Sequence, residues 1–419
     1  MKLKKTLGFS AIITFIRISS GFVAGKAIAV LTGPAGVALI GAFSNFITIA
    51  LTFANGAINS GVVKYTAEYN DNPELLKKLF STALKISFFC ALFFGSILFG
   101  MAPFFSKWVF STEIYATLIR VLGVAIIFYS LNTLLISILN GKSQIKAYTI
   151  VNTVGSLLAL FLTIALVYFF KIQGALYALV LSQTIVFFVT VSLIIKSPWF
   201  STAYFFQAFD KKIAVKLTQF GLMAIVSSLT IPTSQIILRN LIIAEFGVDA
   251  AGYWQGMLKV SDGYLMLITT SLGIYYLPKL SSLKTNMELK PELLKGFKLI
   301  VPTVFIGCII IYFIRFFIIK TLYAESFMAM ENLFLWQLIG DFFKMTAWIL
   351  SYLMLSKAMT KTYVVTEIVF SLSYLLFSYL FMQYYGLIGV TVAFAVNYLM
   401  YLIVMVWIFR KILFDTERI

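Results

Sequence analysis

The sequence predicts an all-α membrane protein of about twelve transmembrane helices, arranged as two six-helix bundles related by a parallel repeat. Three observations carry that prediction: the composition, the spacing of apolar windows, and motifs that recur half a chain apart. Of the 419 residues, 61% are hydrophobic and 12% charged, and the mean hydropathy is +0.97. Soluble domains are usually about 45–50% apolar and about 25% charged. The surplus cannot be hidden inside one globule of this length, so it must face lipid.

Apolar windows of about 20 residues, the length that crosses a bilayer, fall near 7–31, 37–63, 83–106, 114–139, 147–170, 173–195, 217–243, 252–277, 297–319, 331–355, 362–384 and 387–409. The first begins like a signal peptide (MKLKKTLGF), but Arg17 interrupts it and no small-residue cleavage site stands out, so it reads as a retained helix. An even number of spans puts both termini on one side. Of the 33 Lys and Arg, 23 fall in or at the edge of segments on that side, and only Lys107, Lys171 and Lys320 fall opposite. Basic residues collect in the cytoplasm. Both termini are therefore expected there, in a multi-pass bacterial inner-membrane protein. The same bias accounts for the net charge of +17 without nucleic acid as a partner.

The polar stretches near 64–82, 196–216 and 278–296 are too short to fold as catalytic domains. Histidine is absent, and Cys90 and Cys308 lie in apolar runs. The usual general base and zinc ligand are missing, and no metal, cofactor or enzymatic activity is expected.

PELLK occurs at 73–77 and 291–295, and FFKIQGALYAL (169–179) resembles YYGLIGVTVAF (384–394), at offsets of 218 and 215 residues. KAY (146–148) and KTY (361–363) repeat at 215. Such parallel repeats are a transporter plan. The expected halves are 1–200 and 201–419.

Polar residues line up on helix faces. Gly41, Asn45, Thr48, Thr52, Asn55 and Asn59 recur every three or four positions in the second span. Ser228, Pro232, Gln235 and Arg239 do so in the seventh. Gly252, Gly256, Lys259 and Gly263, with Asp262 one step round, do so in the eighth. Gln337, Asp341, Lys344, Trp348 and Ser351 do so in the tenth. Lipid offers amides no hydrogen bonds, so these faces are expected to line a bundle interior or a wet cavity. Arg17, Asp262, Asp341 and Lys344 fall near mid-bilayer, where a charge costs at least about 2.5–3.5 kcal/mol and needs a partner or a cavity. The i,i+3 pairs Lys259/Asp262 and Asp341/Lys344 are spaced to neutralise each other, as structural bridges or as a site. Arg120, Arg239 and Arg315 lie nearer helix ends, where snorkelling and function compete.

Fixed cations among Asn, Thr, Gln and aromatic side chains suit an anionic, hydroxylated cargo. A prenyl diphosphate-linked glycan meets that description, with its tail left in lipid. The substrate-contacting candidates are Arg17, Asn45, Thr48, Thr52, Asn55, Asn59, Gln235, Arg239, Lys259 and Lys344. Asp262, Asp341 and Glu367 are candidates for coupling to a proton or sodium gradient.

GPAGVALIGAFSNF (33–46), NGAINSGVVKYTAEYND (55–71), YWQGMLKVSDGYL (253–265) and FLWQLIGDFFKM (334–345) resemble segments of the Wzx-type O-antigen flippases. These belong to the multidrug/oligosaccharidyl-lipid/polysaccharide exporter superfamily. The resemblance spans essentially the whole chain. It implies two six-helix bundles in a V around a central cavity, and alternating-access transfer of undecaprenyl diphosphate-linked repeat units of O-antigen or enterobacterial-common-antigen type. Asp262 in VSDGYL, and Asp341 with Lys344 in IGDFFK, occupy matched positions. Membrane lipids, a glycan polymerase and a chain-length regulator are the further partners expected. The alternative is a cation-coupled multidrug exporter of the same superfamily, which would favour an acidic, aromatic pocket.

Overall fold

The computed structural model describes residues 3–197, 200–219, 221–272, 276–283, 285–357 and 359–414. Every regular element among them is helical: α1 (Leu3–Ala54), α2 (Asn59–Glu68), α3 (Pro73–Gly100), α4 (Ala102–Phe110), α5 (Ala116–Gly141), α6 (Ile145–Ile195), α7 (Lys211–Gln219), α8 (Gly221–Phe246), α9 (Val248–Ser271), α10 (Leu277–Ser282), α11 (Asn286–Leu322), α12 (Phe334–Ser356), α13 (Thr360–Tyr385), α14 (Ile388–Ile408) and α15 (Arg410–Phe414). Short 3₁₀ turns cover Thr202–Tyr204 and Glu325–Leu333.

Two helices are about twice the length a bilayer needs, and each is broken at its middle. α1 runs 52 residues with non-helical backbone at Gly33 (φ 67°, ψ −171°), followed by Pro34. α6 runs 51 residues with a break at Lys171 (φ 52°, ψ −129°). Each therefore supplies two segments long enough to cross. Among the described residues eight helices are long and apolar enough to cross a membrane, nine with the bent pair of α7 and α8. With α1 and α6 each counted twice this gives ten or eleven crossings, and α9, 24 residues long, is the further helix that fits the expected twelve.

The chain forms two compact units, residues 1–32 with 39–236, and residues 33–38 with 237–419. In the first, Ile58, Val62, Leu76, Leu79, Phe80, Leu134, Ile138 and Leu217 form a buried apolar cluster. There α3 and α5 approach backbone to backbone at Gly95 and Gly123, where a Cβ on Gly95 would lie 2.4 Å from the Gly123 carbonyl. In the second, Gly252 packs so closely on Pro34 that a Cβ would lie 2.1 Å from the Pro34 carbonyl.

The internal repeat is written in backbone and side chains alike. Each PELLK segment forms the same i,i+3 ion pair, Glu74–Lys77 at 2.7 Å and Glu292–Lys295 at 3.7 Å. Lys171 and Gly386 share a positive φ (52° and 59°) at an offset of 215 residues. Three residues further on, Gly174 and Gly389 press their Cα against the preceding helix. A Cβ there would lie 1.9 Å from the Leu166 carbonyl and 2.2 Å from the Phe381 carbonyl, again 215 residues apart. Gly33 and Gly247 are a further matched pair of positive-φ turns, not legible as a motif.

Two expected spans need correction. The window 37–63 is not one helix: α1 ends at Ala54, and positive φ at Gly56 (61°) and Ala57 (53°) turns the chain before α2. The window 83–106 breaks at Met101, with α4 starting afresh around Pro103. The polar stretches 64–82 and 278–296 are also largely helical among their described residues. Asn72 caps α3 by accepting from Leu75 N at 3.1 Å, and Thr285 with Glu288 forms a capping box on α11.

Candidate functional site

The charged residues of the C-terminal unit gather around α12. Its polar row places Gln337, Asp341, Lys344 and Trp348 on successive turns. The Asp341 side chain is fully buried (0% exposed). A carboxylate removed from water needs donors, and three converge on it. Ser261 Oγ donates at 2.5 Å and Tyr264 OH at 2.7 Å from α9, and Gln337 Nε2 donates at 3.3 Å from one turn before. The Tyr264 hydroxyl also lies 3.8 Å from the Cys308 thiol on α11.

Lys344 is half-buried, and its ammonium sits over three rings: Trp348 at 5.1 Å, Tyr398 at 5.8 Å and Phe394 at 5.9 Å. Ring faces attract cations, each by about 0.5–1 kcal/mol at exposed sites and more when desolvated. Gly340 makes this cage possible. A Cβ there would lie 2.2 Å from the Phe394 ring, so only glycine lets α14 bring its aromatic side chains against α12. Of the three acidic candidates, Asp262 is exposed and Glu367 half-buried, whereas Asp341 is closed off.

The direct neutralisation suggested by the i,i+3 spacing does not occur. Ion pairs among the described residues include Glu74–Lys77, Glu292–Lys295 and Arg315–Glu331, and neither Lys259/Asp262 nor Asp341/Lys344 forms one. Asp341 takes neutral donors from the facing helix instead, and Lys344 turns to the rings. Lys259 is half-buried on α9, one turn before Asp262. The polar stripe expected on this helix is partly a packing stripe, since Gly252 and Gly256 meet Pro34 and Met330. Arg239, placed near a helix end, does not snorkel: it is 1% exposed and its Nη2 donates to Asn240 Oδ1 at 2.7 Å. Arg120 is exposed.

In the N-terminal unit the polar row on α1 is a ladder. Ser44, Thr48 and Thr52 each donate to the carbonyl four residues before, at 2.8, 3.0 and 2.9 Å. Such back-bonding satisfies a hydroxyl inside a helix and leaves its lone pairs free to accept. Thr48 is exposed, Asn45 and Thr52 half-exposed, and Asn55 buried at the helix end. Asn59 lies beyond the turn, on α2, so the face is shorter than the spacing suggested. The Oδ1 atoms of Asn55 and Asn59 accept no hydrogen bond among the described residues. Arg17 is exposed on α1, and Gly21 and Gly25 on its face have open space beside them. Gln235 is half-buried on α8.

Ser261, Tyr264, Phe394 and Tyr398 were not singled out by sequence reasoning. The first two flank Asp262 inside VSDGYL, which is the only local signal they carry. Among the described residues no cluster of three Cys, Asp or Glu could hold a metal ion.

The profile of a family described as polysaccharide biosynthesis protein matches residues 29–332. This chain belongs to that family. Family membership extends to curated relatives over nearly the full length. The chain is 31% identical over 405 residues to the lipid III flippases of Escherichia coli (strain K12) and Shigella flexneri, covering 96% of each chain. Solved structures show the fold of the family. An inward-facing multidrug resistance MATE family transporter of the MOP superfamily superposes with a TM-score of 0.74 at 18% identity, over 95% of this chain and 98% of that one. An outward-facing MATE transporter gives 0.67 at 17% identity, over 99% and 97%. A MOP superfamily transporter from Pyrococcus furiosus, whose binding pocket is described as having reverse polarity, gives 0.65 at 16%, over 98% and 96%. The fold of this polysaccharide biosynthesis protein is thus the one these transporters have.

Proposed function

We propose that this protein is a flippase that moves undecaprenyl diphosphate-linked oligosaccharide from the cytoplasmic to the periplasmic face of the inner membrane by alternating access. The observation that carries the reading is the full-length likeness to the lipid III flippases. The charged residues support it. Lys344 offers a fixed cation to a diphosphate, with Arg17, Lys259 and Arg239 as further candidates. Asn45, Thr48, Thr52, Asn55, Asn59 and Gln235 offer donors and acceptors to hydroxyls.

The tail has reason to stay in lipid, because withdrawing it costs about 0.8 kcal/mol per CH₂. Outward movement of a negative headgroup is favoured by the membrane potential, by about 2.3 kcal/mol per charge per 100 mV. Coupling to a proton or sodium gradient would fall to Asp262, Asp341 and Glu367. Vesicle transport that ignores both gradients removes that role. The basic bias supports cytoplasmic termini. A polymerase and a chain-length regulator are proposed as partners that receive the product.

Complementation tests the function. The gene is expressed in strains each lacking one defined flippase, and the surface glycan that returns is scored. Arg17→Ala and Lys344→Ala are each expected to abolish rescue at unchanged membrane abundance. Normal rescue by both variants overturns the site. The exporter reading draws on the acidic and aromatic groups around Lys344; efflux of cationic dyes by the wild-type protein, without glycan rescue, would favour it.

A further inference from the structure

On the outer flank of the C-terminal unit, α11 and α12 leave an apolar groove that the charged site does not use. Phe305, Ile309 and Phe313 form one wall, Leu335 and Phe342 the other, and Cys308 the floor. It encloses about 230 Å³, against the ~150 Å³ apolar cavity that accepts a benzene ring. Phe305, Phe313 and Leu335 are exposed, so in a membrane the groove opens to lipid.

Two features distinguish it from an ordinary lipid-facing surface. At one end stands a cation: Arg315 stacks on Tyr312, itself a groove residue, at 4.3 Å and on Phe316 at 4.5 Å. Its Nη1 donates to the Tyr312 carbonyl at 2.8 Å and its Nε lies a loose 3.9 Å from Glu331, which is fewer contacts than the five N–H donors of a guanidinium can make. At the floor the groove touches the charged site, because the Cys308 thiol lies 3.8 Å from the Tyr264 hydroxyl that holds Asp341.

From these we infer that the groove is a docking slot for the prenyl chain of a phosphoprenyl carrier lipid, with Arg315 receiving a phosphate at its end. The inference rests on the flippase reading and deepens it. A carrier held here keeps its chain in an apolar slot whose floor adjoins the Tyr264–Asp341 pair of the same unit. The aromatic lining favours this occupant, since the flat, unsaturated isoprene units can stack on Phe305, Phe313 and Phe342. Because the chain is apolar in either location, transfer out of bulk lipid contributes little. Selectivity must come from packing and from the Arg315–phosphate pair, which is worth up to about 1 kcal/mol at a semi-exposed site, or about fivefold.

Photocrosslinking of the full-length protein in phosphatidylethanolamine–phosphatidylglycerol vesicles tests this. The probe is tritiated undecaprenyl phosphate, and the protein carries p-benzoylphenylalanine in place of Phe313, or of Phe161 as a control equally open to lipid at 69% exposed. Labelling through position 313 is expected to exceed that through 161 by about fivefold. It should be competed by unlabelled undecaprenyl phosphate but not by added phosphatidylglycerol, and should fall about fivefold in Arg315→Ala. Ile309→Trp, which fills the slot without touching Arg315, should lower it as well. Equal labelling at 161 and 313 overturns the inference, as does equal competition by phosphatidylglycerol, which would mark a phospholipid site. Normal glycan rescue without selective labelling refutes the groove alone. Selective labelling in a protein that restores no glycan supports the groove and refutes the flippase reading.

Discussion

Replacing Tyr264 by Phe removes one hydroxyl and almost no volume, so its effect isolates a single hydrogen bond to Asp341. That bond is 2.7 Å long and its acceptor is fully buried. Hydrogen bonds to charged groups in water-soluble proteins are worth about 1.5–3 kcal/mol. Between membrane helices the measured average is only about 0.6 kcal/mol and the largest about 1.7, because the unfolded chain in lipid also finds partners. Ser261 and Gln337 continue to donate in the variant, so Asp341 is never left bare. The charged acceptor argues for the upper part of the membrane range, and about 1–2 kcal/mol is the expected loss. For a unit of this size each kcal/mol shifts Tm by roughly 2–4 °C, which gives a fall of about 2–8 °C. Differential scanning fluorimetry of the detergent-solubilised protein reads this directly. Tyr385→Phe, on a side chain 60% exposed, should shift Tm by less than about 1 °C and serves as control. A cycle with Asp341→Asn should show a coupling of at least about 0.5 kcal/mol. Strict additivity, or an unmoved Tm in Tyr264→Phe, would refute the assignment of Tyr264 as the anchor of Asp341.

Gly95→Ala is expected to cost about 1–3 kcal/mol, because its Cβ would meet the Gly123 carbonyl at 2.4 Å and force α3 away from α5; a Tm fall in the same scan checks it. Asn72→Ala removes the cap on α3 and should cost about 1 kcal/mol, seen as faster amide exchange at Leu75, whose N–H it accepts.

Most of the fold was legible because lipid imposes a simple rule: every crossing is a long apolar helix that satisfies its own backbone. Local sequence also revealed the row on α12, since Gln337 with Asp341 and Lys344 with Trp348 are neighbours one turn apart and interact as that spacing implies. What escaped were partners decided by tertiary packing. Ser261 and Tyr264 lie 80 and 77 positions from Asp341, and nothing in their local pattern ties them to it. The break after α1 escaped for a different reason: Asn55-Gly56 is a turn dipeptide, but the apolar window was read straight through it, and Ala57, the second positive-φ position (53°), is a residue that seldom takes that conformation. Arg239 was legible in part: its place on the polar face of the seventh span fits its inward, 1% exposed side chain, while its depth near the helix end left snorkelling as the competing reading.

The crowding of hydrogens around Asp341 has a consequence for any traffic of protons through this unit. Tyr264 and Ser261 both point O–H bonds at the same oxygen. A newcomer proton landing there would require one hydroxyl to swivel and offer a lone pair instead. The Tyr264 hydroxyl is the one with somewhere else to turn, because the Cys308 sulfur stands beside it. Protonation of one acid would thereby be relayed as the reorientation of a phenol toward the lipid-facing flank.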